Sequence, residues 1–248
     1  IAKRQKEKGF APEMAEVLRQ WLDPAMLASV QRTPVNCLVV SWASGLPEDA
    51  AQQQALKPLI DAGRKAGLDF VGLIEEPADK TAALASALSA GLSAVAMETV
   101  PPGNAGIPVI AWAKSGEELW GASSPILGVA DGVWPGVPQE KTPTGGPTNL
   151  PWVDSNGALL AIAKSIAPNK AVWIVVDPPK QAKLTVENYL LAVADTEAHG
   201  GRWVISLDDQ MRAGLAAKST PTVEAWKKVT DALAFFEQNQ AARNYERM

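Results

Sequence analysis

Short apolar runs alternate with amphipathic stretches along most of this chain, and that alternation constrains the fold more than any other feature. Seven runs stand out: Val35–Trp42, Leu68–Glu75, Ser93–Glu98, Pro108–Ala113, Pro125–Ala130, Ala171–Asp177 and Arg202–Leu207. They are continuous rather than alternating, as in VNCLVVSW or AVWIVVD, so each reads as a strand covered on both faces. Helical patterns fall between them, at Pro47–Ala66, Asp79–Ala90, Asn156–Ala167 and Leu184–Ala198, and a long one, Thr222–Ala242, closes the chain. Gly67, Gly91 and Gly200 stand just past three of these helices, where a left-handed cap is usual. Asp154 and Ser155 precede another as caps.

Buried strands joined by helices pair in parallel, because parallel neighbours need a crossover. A (β/α)8-type TIM barrel and an open doubly wound sheet both satisfy this. The turn after the first strand, Trp42-Ala43-Ser44-Gly45-Leu46-Pro47, matches neither of the Gly-rich phosphate motifs common at that point of an open sheet. A length of 248 residues and a helical start favour the barrel. The expected organisation is an N-terminal helical extension over residues 1–33 and a barrel domain over 34–248. In the extension Met14, Val17, Leu18, Trp21 and Leu22 recur at helical spacing behind Pro12. Seven strands are readable rather than eight, so the barrel is incomplete, is irregular, or hides one strand.

Composition narrows the chemistry. The one cysteine, Cys37, rules out an internal disulfide and a multi-cysteine zinc site. The one histidine, His199, falls in the last turn of a helix, where an imidazole bonds carbonyls and complements the dipole. A net charge of −4 argues against binding nucleic acid through phosphates. No run reaches the roughly 18 apolar residues of a membrane span. The charged start, with Lys3, Arg4, Lys6 and Lys8, lacks the apolar core of a signal peptide and reads as a solvated arm. Export is left open, as is oligomeric state.

In parallel α/β folds ligands bind beyond the carboxyl ends of the strands. Five of the seven strands end there in carboxylates: Glu75 and Glu76, Glu98, Asp131, Asp177, and Asp208 with Asp209. A closed barrel would turn them toward one mouth, a ring suited to acid/base work on sugars or to a divalent cation. The same residues also cap helices and turns, which is the structural alternative for each. From Asp131 to Val153 the chain has no periodicity and carries five prolines, with Trp134 and Trp152 near its ends. A loop that long is functional, or is pinned as an Ω-loop by its own side chains. Trp42, Trp112, Trp134 and Trp152 could face the mouth, and indole faces stack well on sugars. Trp173 and Trp203, in mid-strand, read as core.

The alternating pattern, the strand-end carboxylates and the Trp-rich loop resemble a TIM-barrel glycoside hydrolase. The stretches Val133-Trp134-Pro135-Gly136 and Gly146-Pro147-Thr148-Asn149-Leu150-Pro151-Trp152-Val153-Asp154-Ser155-Asn156-Gly157 are similar to loops of uncharacterised bacterial glycosidase-like barrels. The resemblance implies a carbohydrate ligand, no cofactor and no metal. Catalysis would fall to a pair among Glu98, Asp131, Asp177 and Asp208, with Trp42, Glu75, Trp112, Trp134 and Trp152 binding substrate. The usual retaining pair, a Glu after strand four and another after strand seven, is replaced here by Trp112-Ala113-Lys114 and Asp208-Asp209. Two alternatives therefore stand beside hydrolysis. One is a non-catalytic glycosidase-like barrel that binds glycan or serves as a domain of a larger protein. The other is a lyase or aldolase using Lys114, or a Mg²⁺ held by Glu75, Glu98 and Asp177.

Overall fold

The computed structural model describes residues 1–7, 9–75, 79–98, 106–113, 126–129, 132–137, 156–179 and 183–239. Among these lie seven strands: β1 (Cys37–Ala43), β2 (Asp69–Ile74), β3 (Ala94–Met97), β4 (Val109–Ala113), β5 (Ile126–Val129), β6 (Ala171–Val175) and β7 (Arg202–Val204). The helices are α1 (Ala2–Gln5), α2 (Met14–Gln20), α3 (Asp49–Lys65), α4 (Lys80–Ser89), α5 (Asn156–Ile166), α6 (Val186–Ala198), α7 (Asp209–Ala216) and α8 (Thr220–Gln238). A short 3-10 helix spans Pro24–Ser29. Each strand overlaps one of the seven apolar runs, and within each of the two units described below strand order follows chain order.

The chain divides into two compact units, Ile1–Ile110 with Asp209–Ser219, and Ala111–Asp208 with Thr220–Met248. In the first, β1 pairs with β2 and β2 with β3, all parallel, with Val39 opposite Val71 and Val71 opposite Ala94. Phe70, Ile74 and Val95 are fully buried there. Helix α3 presents Leu56, Leu59, Ile60 and Gly63 to this sheet, the i, i+3, i+4, i+7 spacing of an amphipathic helix. Gly63 permits close contact, since a Cβ would sit 2.5 Å from the Phe70 ring. Helix α3 ends in a Schellman motif, with Leu68 N–H on Gly63 O (2.9 Å) and Gly67 N–H on Arg64 O (3.0 Å). Gly67 takes the required left-handed φ of +83°. Helices α4 and α6 end the same way, through Gly91 and Gly200.

In the second unit β4, β5, β6 and β7 pair parallel in that order, with Leu127 opposite both Ala111 and Val172, and Ile174 opposite Trp203. Helix α5 buries Leu160 and Ala163, and α6 buries Tyr189, Ala192, Val193 and Thr196. Helix α8 packs along α6.

The α/β class with parallel strands is therefore the observed one. A doubly wound sheet reverses its strand order at a switch point. Neither unit contains a reversal. No eighth strand occurs among the described residues. The expected cover on both faces needs adjustment in three strands: β6 buries only Val172 and Ile174, β7 buries only Trp203, and β1 departs too. Cys37 through Ser41 in β1 are half-buried rather than covered, because β1 pairs with β2 alone among the described residues. Burial there, with the charge of Asp69 beside it, still pushes the Cys37 thiol up to about 11. A raised thiol pKa leaves little thiolate at pH 8. Iodoacetamide should accordingly alkylate folded chain at least tenfold more slowly than urea-unfolded chain at that pH. Equal rates would contradict the burial.

Candidate functional site

The carboxyl ends of β1, β2 and β3 gather the first set of expected site residues. Trp42, the penultimate residue of β1, is 3% exposed, and its indole N–H donates to Ser86 Oγ on α4 (2.9 Å). Its side chain lies against Gly72 in β2, where a Cβ would come 3.1 Å from the Trp42 Cβ. The indole thus closes the space between helix and sheet instead of facing a ligand.

The loop that follows is shaped by Asp49. Asp49 Oδ2 accepts from the backbone N–H groups of Ser44 (2.8 Å), Gly45 (2.9 Å) and Leu46 (3.3 Å), and Oδ1 from the Ser44 hydroxyl (2.7 Å). Three successive N–H groups make an anion-binding nest. Here the chain's own carboxylate fills it, in keeping with the missing phosphate motif. The signal was legible only in part, since an acidic residue in the first turn of a helix normally serves that helix.

Glu75 follows β2 directly. Its N–H donates to Ala43 O (2.9 Å), and its carboxylate pairs with Lys3. Glu98 follows β3 and is exposed. The basic start is not a solvated arm. Lys3 reaches Glu75, and Arg4 Nη2 reaches Asp209 Oδ1 at the head of α7 (2.9 Å). At the opposite, amino edge of this unit, a hollow of about 450 Å³ lies among Val30, Arg32, Val35, Asn36 and Leu68. Its polar side chains are exposed, and that edge of a parallel α/β fold carries stability rather than ligands.

The second unit holds the remaining candidates. Trp112, in β4, is 8% exposed and leans on β5 at Gly128, where a Cβ would fall 2.8 Å from Trp112 Cε3. Trp134 is 1% exposed, with its ring edge-to-face against both Tyr189 and Trp203 at centroid distances of 5.1 Å and interplanar angles of 86°. The Tyr189 hydroxyl in turn accepts the Asp208 N–H (2.9 Å). Trp134 and the strand-end Asp208 are therefore joined through one tyrosine, a residue that the sequence pattern alone marks as no more than a helix-face aromatic. Asp208 is half-buried, and Asp177, two residues beyond β6, is exposed. Asp131, Trp152, Glu76 and Lys114 lie outside the described residues.

Two further residues organise this end. Asn156 opens α5 fully buried. Its Oδ1 accepts the Val133 N–H (2.9 Å) and its Nδ2 donates to Val133 O (3.0 Å), copying a strand neighbour for a residue that has none. Its own N–H donates to Asp195 Oδ2 (2.6 Å), so a carboxylate of α6 caps α5. His199, at the end of α6, places Nδ1 2.7 Å from Asp195 O, and that carbonyl requires the proton on Nδ1. Its ring lies over Gly157, where a Cβ would come within 2.6 Å. Among the described residues no group of three His, Cys, Asp or Glu side chains could hold a metal ion.

The arrangement offers carboxylates at the ends of neighbouring strands in each unit. Within the first unit these are Glu75 and Glu98, and within the second Asp177 and Asp208. It offers no described indole face beside them. No protein-family model matches the chain, and no curated protein matches it.

Proposed function

We propose that this chain is a carbohydrate-active domain on an irregular TIM-type (β/α)8 plan, with paired strand-end carboxylates working as in a glycoside hydrolase. One observation carries the reading: Asp177 and Asp208 lie two and four residues beyond the ends of β6 and β7, which are hydrogen-bonded parallel neighbours in one unit. Adjacent strands run about 4.8 Å apart. Paired glycosidase carboxyls stand roughly 5–9.5 Å apart, and side chains leaving adjacent strand ends can span that range. One would protonate the leaving oxygen, while the other attacks the anomeric carbon or activates water on the opposite face. Glu98 and Asp131 remain members of the candidate set, and the chemistry calls for no cofactor.

A second reading is favoured by a specific observation. Trp42, Trp112 and Trp134 are closed into the interior, which removes the expected sugar platform from the described residues. Of the non-catalytic alternatives, a glycosidase-like barrel that serves a larger protein fits that burial, and one that binds glycan without cleaving it needs a platform other than these three indoles.

A panel of glycans and aryl glycosides, read for both binding and turnover, separates the two. Hydrolysis predicts turnover of at least one aryl glycoside. It also predicts a fall of about 10²–10⁴-fold in the D177N/D208N variant, with the unfolding midpoint unchanged. Binding without turnover selects the second reading. Turnover that survives in D177N/D208N removes this pair, and a silent panel removes hydrolysis and glycan binding, leaving service within a larger protein.

A further inference from the structure

We propose that residues 2–7 form a charge-latched strap, which lies across the carboxyl edge of the first unit, pairs with Asp209 and shields Glu75 until it is displaced. Helix α1 is only four residues long, and a helix of one turn does not persist in water unaided. Something outside the segment must hold it. Apolar packing does not, because none of its residues is buried.

Charge pairing does. Lys3 meets Glu75 just past β2, Arg4 Nη2 meets Asp209 Oδ1 at the start of α7 (2.9 Å), and Lys6 Nζ comes within 4.0 Å of Glu48 Oε2 ahead of α3. Three cations in one turn of chain thus address three carboxylates from three separate elements. Such spacing is improbable for a solvated arm and well suited to a latch.

The latch is weak by construction. Its side chains are part-exposed, with Lys3 at 51% and Glu75 at 27%, and an exposed pair shifts an equilibrium by up to roughly fivefold. Three such pairs hold the strap shut at low salt while leaving an open population. Raising ionic strength from about 0.1 M toward 1 M shortens the screening length from roughly 10 to 3 Å and frees it. That opening admits a ligand to Glu75 rests on the carbohydrate reading above. The latch itself does not.

Amide hydrogen exchange on the full chain tests it. The reporters are Gln5, Lys6 and Glu7, whose N–H groups donate to Ile1 O, Lys3 O and Arg4 O. Rates are referenced to the unfolded chain in the same buffer, with β2 amides as the control for global unfolding. Exchange of residues 5–7 should quicken at least fivefold between 50 and 500 mM NaCl while β2 is unchanged. K3E and E75K should each do the same at 50 mM, and the swapped pair K3E/E75K should restore protection. D209R should likewise quicken exchange at 50 mM. Exchange indifferent to salt and to charge reversal overturns the latch, as does a swap that restores nothing or a segment unprotected in the unsubstituted chain at 50 mM. If protection follows charge but the glycan panel is silent, the latch stands and the carbohydrate reading falls.

Discussion

Replacing Trp134 by alanine is expected to cost about 3–5 kcal/mol of stability, the usual range for deleting a buried large aromatic side chain. The ring is 1% exposed and makes two edge-to-face contacts at 5.1 Å, with Tyr189 and Trp203. Each such contact adds about 0.5–1.5 kcal/mol beyond burial. Trp134→Phe should fall within about 2 kcal/mol of the unsubstituted chain, for a reason beyond retained area. The Trp134 indole N–H is buried with no hydrogen-bond partner among the described residues. Phenylalanine removes that orphan donor, whose burial costs about 1–3 kcal/mol. Guanidinium unfolding followed by far-UV circular dichroism provides the measurement. The result also decides between core and platform. A sugar-stacking indole could be truncated with little loss of stability, so a loss below about 1 kcal/mol would return Trp134 to the list of ligand contacts.

Most strands were legible because β2 to β5 are mostly covered on both faces and so read as unbroken apolar runs, while β6 buries one face only, through Val172 and Ile174. DFVGLI and ILGV each carry a glycine that a simple pattern would count against them. In the fold those glycines accept neighbouring side chains, Trp42 and Leu92 at Gly72, and Trp112 at Gly128. Run and strand disagree mainly at the ends. AVWIVVD continues two residues beyond Val175, because Val176 stays half-buried after the ladder stops. Helix α7 was harder to see. Its eight residues bury only Met211 and Leu215, too few for a periodic signal. Its end places Lys218 at a φ of +53°, a left-handed cap that composition assigns to glycine.

The site was legible in a different sense. Glu75 and Glu98 come directly after β2 and β3, where their apolar runs stop, whereas Asp177 and Asp208 lie two and four residues past strands that end before their runs do. What surrounds them does not follow from local sequence. A tryptophan at a strand end has the same local signature whether it faces solvent or a helix, and Ser86, 44 residues from Trp42, decides the matter. The Lys3 and Arg4 pairings span 72 and 205 residues, so a run of basic residues at the start reads as solvated until the fold brings the carboxylates to it.

Asn156 gives the second large expectation. Asn156→Leu keeps the side-chain shape but leaves the Val133 N–H and C=O buried with no partner from residue 156. At about 1–3 kcal/mol for each orphaned group, the loss should be roughly 2–5 kcal/mol. Asn156→Asp separates the two bonds. One carboxylate oxygen can still accept the Val133 N–H, but the other faces Val133 O with no hydrogen to give. Protonation supplies that hydrogen, so the Asp variant should be nearer the unsubstituted chain below about pH 4 and lose ground as pH rises through the ordinary Asp range. The sign is that of a buried acid whose neutral form is preferred in the folded state. Val133 precedes Trp134, so the amide pin and the buried ring hold the same piece of chain. Once either is gone the other has less to hold, and the W134A/N156L double variant should lose less than the two single losses combined, by at least 0.5 kcal/mol in order of magnitude. Strict additivity would show that Asn156 and Trp134 act on separate structures and that residues 132–137 are not held as a unit.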